Sequence, residues 1–131
     1  MKEVRLSKLV RAMRQSRSDE KYYLNTKNYM VFSYSHHEIR YLDEYRMVNV
    51  DEIPALREHA VRIPPFTEKD MMKAYLFKKG EEEEMRYEEF AFYLRVNEAE
   101  AEYEAFKKKS YREKCIAFAE ENDITYIDDL K

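Results

Sequence analysis

Apolar positions near the start of the chain recur at helical spacing. Leu6, Leu9, Val10 and Met13 fall on one side, and Lys8, Arg11 and Arg14 on the other. Ser7 reads as the cap of a helix running to Gln15, and Ser16-Arg17-Ser18-Asp19 as a loop. The pattern then changes. Tyr22-Tyr23-Leu24 and Tyr29-Met30-Val31-Phe32 are rich in strand formers. Between them, Asn25-Thr26-Lys27-Asn28 supplies turn residues, and Asn tolerates left-handed backbone. A β-hairpin is expected within residues 21–34. Ile39, Leu42 and Tyr45-Arg46-Met47 suggest a helix over 37–47. Asp51 or its neighbour starts a short helix carrying Pro54 in its first turn. Val61-Arg62-Ile63 reads as extended because Pro64 follows.

The second half of the chain is helical in pattern. Thr67-Glu68-Lys69-Asp70 resembles a capping box with Asp in place of Glu, and Met71, Met72, Tyr75 and Leu76 form the apolar side behind it. Gly80 sits where a left-handed stop belongs. A helix over 82–95 is expected next, with Glu81 to Glu84 at its positive end. Asn97 is taken to cap a helix over 98–109 that finishes on Lys107-Lys108-Lys109. Ser110-Tyr111-Arg112-Glu113 is a capping box for a last helix over 111–121, with Tyr111, Cys115, Phe118 and Ala119 on one face and Asn122 at its end. Ile124-Thr125-Tyr126-Ile127 reads as a short strand or an extended tail.

These elements predict an α+β fold: a small antiparallel sheet covered by about five helices, in one domain over 1–131. Composition agrees. With 131 residues there is room for one core, and 44% hydrophobic residues exclude disorder throughout. One Gly and three Pro are few turn-makers, which favours long helices over an all-β chain. No apolar run nears the ~18–20 residues of a membrane span, and Met1-Lys2-Glu3-Val4-Arg5 lacks the apolar stretch of a secretion signal. Cys115 is the only cysteine, so no internal disulfide forms and a reducing cytoplasm is the expected location.

Three stretches in this order carry a resemblance. Leu6-Ser7-Lys8-Leu9-Val10-Arg11-Ala12-Met13 leads into Tyr22-Tyr23-Leu24-Asn25; Val61-Arg62-Ile63-Pro64 follows; and Phe106-Lys107 leads into Phe118-Ala119-Glu120-Glu121-Asn122-Asp123-Ile124. The pattern resembles uncharacterised protein family 0158, small bacterial proteins of unknown function. The chain departs from that pattern at Asn28, where the family offers Gly, and in having no Trp in its last helix. The resemblance implies no activity and no site residues.

Candidate chemistry is sparse. His36-His37-Glu38 with His59 is the one gathering of metal-ligand types, but adjacent histidines point apart, and neither HExxH nor a paired CxxC is present. A solvated loop or helix start is the better reading there. Cys115 lies between Tyr111 and Phe118 on an apolar face, which suits a buried small hydrophobe better than a nucleophile. No GxSxG is present, and a single glycine cannot build a phosphate or dinucleotide loop. No catalytic residue, metal or cofactor is expected.

Charge is unevenly laid out. Residues 1–21 hold seven basic and three acidic residues, whereas 81–104 hold two basic and ten acidic. The N-terminal basic face is expected to lie against the acidic run, within one chain or across a homodimer. Lys8, Arg11 and Arg14 form one basic stripe, and Lys107, Lys108, Lys109 and Arg112 a second cluster. These seven are the candidate surface for a partner or for nucleic acid. An isoelectric point near 5.7 argues against a dedicated nucleic-acid binder. A four-residue apolar side without an aromatic suits packing better than lying on a membrane. Tyr22, Tyr23, Tyr29, Tyr34, Tyr41 and Tyr45 are dense within 24 residues, and Tyr suits both a core margin and an interface. The first reading is therefore a non-catalytic interaction or regulatory module with a protein partner or a second copy of itself. An accessory RNA- or DNA-binding protein using the basic helix faces is the alternative.

Overall fold

The structure is a computed structural model that describes residues 3–17, 19–35, 38–42 and 53–130, the Ala55 side chain excepted. It is α+β. In chain order the elements are β1 (Val4–Arg5), α1 (Leu6–Gln15), β2 (Glu20–Asn25), β3 (Val31–Ser35), β4 (Glu38–Tyr41), α2 (Ile53–Glu58), β5 (Ala60–Arg62), α3 (Glu68–Lys78), α4 (Tyr87–Val96), α5 (Glu100–Glu121) and β6 (Tyr126–Ile127). The expected hairpin is the centre of a four-stranded antiparallel sheet in the order β4-β3-β2-β5. The extended segment before Pro64 forms its β5 edge. A second, two-stranded sheet pairs β1 with β6 in parallel, so of the stretch 124–127, read as a short strand or an extended tail, Tyr126–Ile127 is strand.

Alternation along the strands gives the main sheet two different faces. Tyr22, Leu24 and Val31 point into the main core with Leu6, Leu9 and Met13 of α1, Met71 and Tyr75 of α3, and Cys115 and Phe118 of α5. Phe32, Ile39 and Tyr41 form a second cluster on the opposite face, where Leu56 of α2 covers them. The rings of Tyr75, Phe90 and Tyr103 join α3, α4 and α5, with centroids 4.9–6.1 Å apart and interplanar angles of 72–85°. These edge-to-face contacts suit the ring quadrupoles.

Several expected boundaries move. Residues 38–41 form a strand, not part of a helix over 37–47, because Ile39 and Tyr41 alternate into the second cluster and pair with Tyr34 and Phe32. His37 and 43–47 of that expected helix lie outside the described residues, as does Asp51. Ser7 is inside α1 and not its cap: Arg5 holds the cap position and offers no side-chain bond. Glu81 to Glu84 stay outside α4, which begins at Tyr87. Glu81 instead closes the stop of α3, its N–H donating to the Leu76 carbonyl, so the helix cannot restart there. The two helices expected on either side of Ser110 are one 22-residue helix. Tyr103, Tyr111, Cys115, Phe118 and Ala119 form a buried stripe that runs past Ser110, and burial outweighs the local capping signal. Asn97 consequently closes α4 and does not open α5, and Lys107 to Lys109 sit in mid-helix.

Other local signals hold. Thr67 and Asp70 make a reciprocal capping box, with Thr67 N–H donating to Asp70 Oδ2 at 2.9 Å. Past α3, Gly80 takes φ 78°, Gly80 N–H donates to the Phe77 carbonyl, and Glu81 N–H to that of Leu76. That is a Schellman stop.

Candidate functional site

The candidate site lies between α1, α5 and the segment after β6. A groove of about 640 Å³ opens there, with Val10 and Arg14 on one wall, Lys107 to Lys109 and Arg112 on the other, and Leu130 at one end. Beside it, sharing Val10 and Arg14, lies a shallower hollow of about 400 Å³ edged by Ser7, Arg11 and Glu68. Helical spacing explains the first wall, because Val10 and Arg14 are one turn apart. The unbroken α5 explains the second, since it carries Lys108 and Arg112 along one side with Tyr111 at the base.

The seven sequence candidates divide. Arg14, Lys107, Lys108, Lys109 and Arg112 are brought together at the groove; Arg11 borders the hollow, and Lys8 lines neither. Two of the five also knit the fold. Arg14 and Lys107 both pair with Glu68, the first residue of α3, and Lys107 reaches Glu104 at 3.4 Å. Arg14 lies 5.8 Å from the centroid of the Tyr111 ring, and Lys107 lies 5.3 Å from that of Tyr103. Tyr111 is 4% exposed; its hydroxyl donates to the Phe66 carbonyl at 2.8 Å, and burial pushes its ionisation up to about 12. The other three cations are exposed. Lys109 reaches Glu113 at 3.9 Å, Arg112 Nε donates to Asp128 at 2.7 Å, and Lys108 has no ion pair among the described residues.

Residues beyond the sequence candidates complete the groove. Asp129 accepts the Ser7 N–H at 2.9 Å and also the Ser7 hydroxyl, so a carboxylate from the far end of the chain caps α1. Burial works to raise the Asp129 carboxyl, but the Ser7 hydrogen bonds outweigh it and hold the group below its ordinary value. With Asp128 on Arg112, these contacts strap the segment after β6 across one end of the groove. Nothing local marks Asp128 or Asp129; only the pairing of β6 with β1 places them there.

Within one chain, Arg14 departs from the expected facing of the N-terminal helix and the acidic run. Arg14 meets Glu68, outside 81–104. Acids of the run pair with Lys73 and Lys79 of α3, with Arg86 and with Lys107. The cations of α3 and α5 are nearer neighbours of that run in the chain and in space.

The remaining candidate chemistry is placed as follows. His36 and His37 lie outside the described residues, and the His59 carbonyl accepts from Thr26 N–H and Oγ1. Among the described residues no three His, Cys, Asp or Glu side chains gather as a metal site. Cys115 is fully buried, its sulfur 3.8 Å from that of Met13, and burial pushes the thiol up to about 12. Such a thiol is not a nucleophile at neutral pH. No helix of the described residues is long and apolar enough to cross a membrane. No protein-family model, no curated protein and no solved structure matches the chain, so the resemblance to family 0158 rests on its short motifs alone.

Proposed function

We propose that this chain is a non-catalytic interaction module of the cytoplasm whose contact surface is the groove between α1 and α5. Its partner presents an acidic segment that also carries an apolar side chain. One observation supports this most. The groove is lined by five cations and two acids, Glu104 and Asp129, around the apolar contributions of Val10, Ala105 and Leu130; Lys108 has no ion pair among the described residues, and Lys109 only the 3.9 Å contact with Glu113. Carboxylates suit the rim, and an aliphatic side chain suits the base. The chain's own Asp128-Asp129-Leu130 already meets the groove in this manner. Nucleic acid on the basic helix faces has less support, because the groove's one ring, Tyr111, is buried and offers no surface for a base.

A fluorescein-labelled peptide of alternating Asp and Leu residues tests the reading by anisotropy. Lys108→Glu with Lys109→Glu is expected to weaken binding at least tenfold, about 1.4 kcal/mol, with little change in the melting temperature, since both side chains are exposed and the one ion pair lost, Lys109 with Glu113, is exposed as well. Equal binding by the wild type and the variant, or no binding by either, would reject it.

A further inference from the structure

The tyrosine-rich strands carry a second surface, on the sheet face away from the main core. Tyr23 and Phe32 are directly opposite each other on β2 and β3, with ring centroids 5.6 Å apart and planes 18° from parallel. Tyr34 is two residues from Phe32, stands on the same face and is 40% exposed. A hollow of about 350 Å³ opens over these three rings, with Leu56 and Arg57 of α2 on its far side. Among the described strand residues, the charges on this face are of one sign. Lys21 pairs with Tyr34 in the strand register and Arg62 with Tyr23, so both cations share the face of the rings. By alternation Glu20 and Glu38 point to the other face. Lys21, Arg57 and Arg62 are all exposed, and none has an ion pair among the described residues.

We propose that this face binds single-stranded nucleic acid, with unpaired bases stacked on Tyr34 and Tyr23 and phosphates held by Lys21, Arg57 and Arg62. Tyr34 is exposed and Tyr23 half-buried. An accessible ring beside cations that have no ion pair among the described residues is what such a ligand needs, because every base has a stacking face and every nucleotide a charge. The other exposed rings among the described residues lack that setting. Phe77, Tyr87 and Phe92 lie on α3 and α4, in or beside the stretch that holds Glu81 to Glu84, Glu88 and Glu89, where a polyanion is repelled. Stacking on the sheet also selects unpaired strands, since a duplex keeps its base faces covered.

The test is fluorescence anisotropy of labelled ten-nucleotide oligouridine, with a duplex of the same length as competitor. Binding is expected to fall with salt at a log–log slope of about -2, from three contacts at ~0.7 each. Tyr34→Ala should weaken it about tenfold, and Arg62→Gln should flatten the slope by about 0.7. Lys108→Glu in the groove should leave it unchanged. Circular dichroism melts of each variant check that folding is retained. Absence of binding at low salt, equal competition by the duplex, or loss of binding through Lys108→Glu and not Tyr34→Ala would overturn the proposal. The last outcome would move nucleic acid to the groove.

Discussion

Glu98 and Asp123 hold positions that Gly80 holds at the end of α3. All three follow a helix cap in left-handed backbone, at φ 52°, 53° and 78°, and each stop is closed by the same pair of backbone bonds. The chain has one glycine for three such sites. A side chain in this conformation costs roughly 1–2 kcal/mol, and glycine avoids the cost. The packing of Ala99 and Ile124, both buried just beyond the stops, holds the two strained residues in place. Glu98→Gly is therefore expected to stabilise the protein by about 1 kcal/mol. A urea titration that gave a lower midpoint for the variant would show that the Glu98 side chain contributes more than its backbone strain costs.

Helix α1 depends on a residue that is not its neighbour. Its first turn has no acidic side chain and no cap from Arg5, so the orphan N–H groups draw on Asp129. An N-terminal cap is worth about 1 kcal/mol. Because the folded Asp129 carboxyl lies below its ordinary value, its contribution is complete above the unfolded pKa, near 4. It is lost as pH falls through the lower folded value. Asp129→Asn is expected to lower stability near pH 7 and to narrow the gap from wild type as pH falls below about 4. Thermal melts across that range measure both, and a gap that stayed constant with pH would mean the charge is not what caps the helix.

Across the whole molecule, Glu68 is where three helices meet electrostatically. Arg14 comes from α1, Lys107 from α5, and the carboxylate itself sits at the positive end of α3. The Arg14 pair is exposed and worth at most ~1 kcal/mol, so it orients α1 more than it stabilises it. Arg14→Glu places two carboxylates together and should lower the melting temperature by a few degrees at low salt. The drop should shrink at 1 M salt, where the screening length is about 3 Å. An equal drop at both ionic strengths would assign the loss to the ring contact with Tyr111 instead. Three of the ion pairs, those of Arg14, Lys79 and Lys107, join α1, α3 and α5 or lie between them, while Lys108, Lys21, Arg57 and Arg62 have no ion pair among the described residues.

Much of this architecture follows from short-range pattern. The apolar period of α1, the Tyr-rich hairpin, the Thr67 box, the stop at Gly80 and the buried face of Cys115 each depend on residues within a few positions of one another. Local chemistry therefore determines them in any context that buries the same side. The misjudged parts share the opposite property. Ser110 reads as a cap, yet the stripe from Tyr103 to Ala119 is continuous only when α1 and α3 pack along it. Ile39 and Tyr41 read as helical until β3 lies beside them. The groove is the clearest case: its cations are visible as two separate runs, whereas Asp129 meets Ser7 across 122 positions of sequence. No local spacing encodes such a contact. It arises because β6 docks in parallel on β1, and hydrophobic burial, which has no direction of its own, leaves that choice to the complete packing of the core.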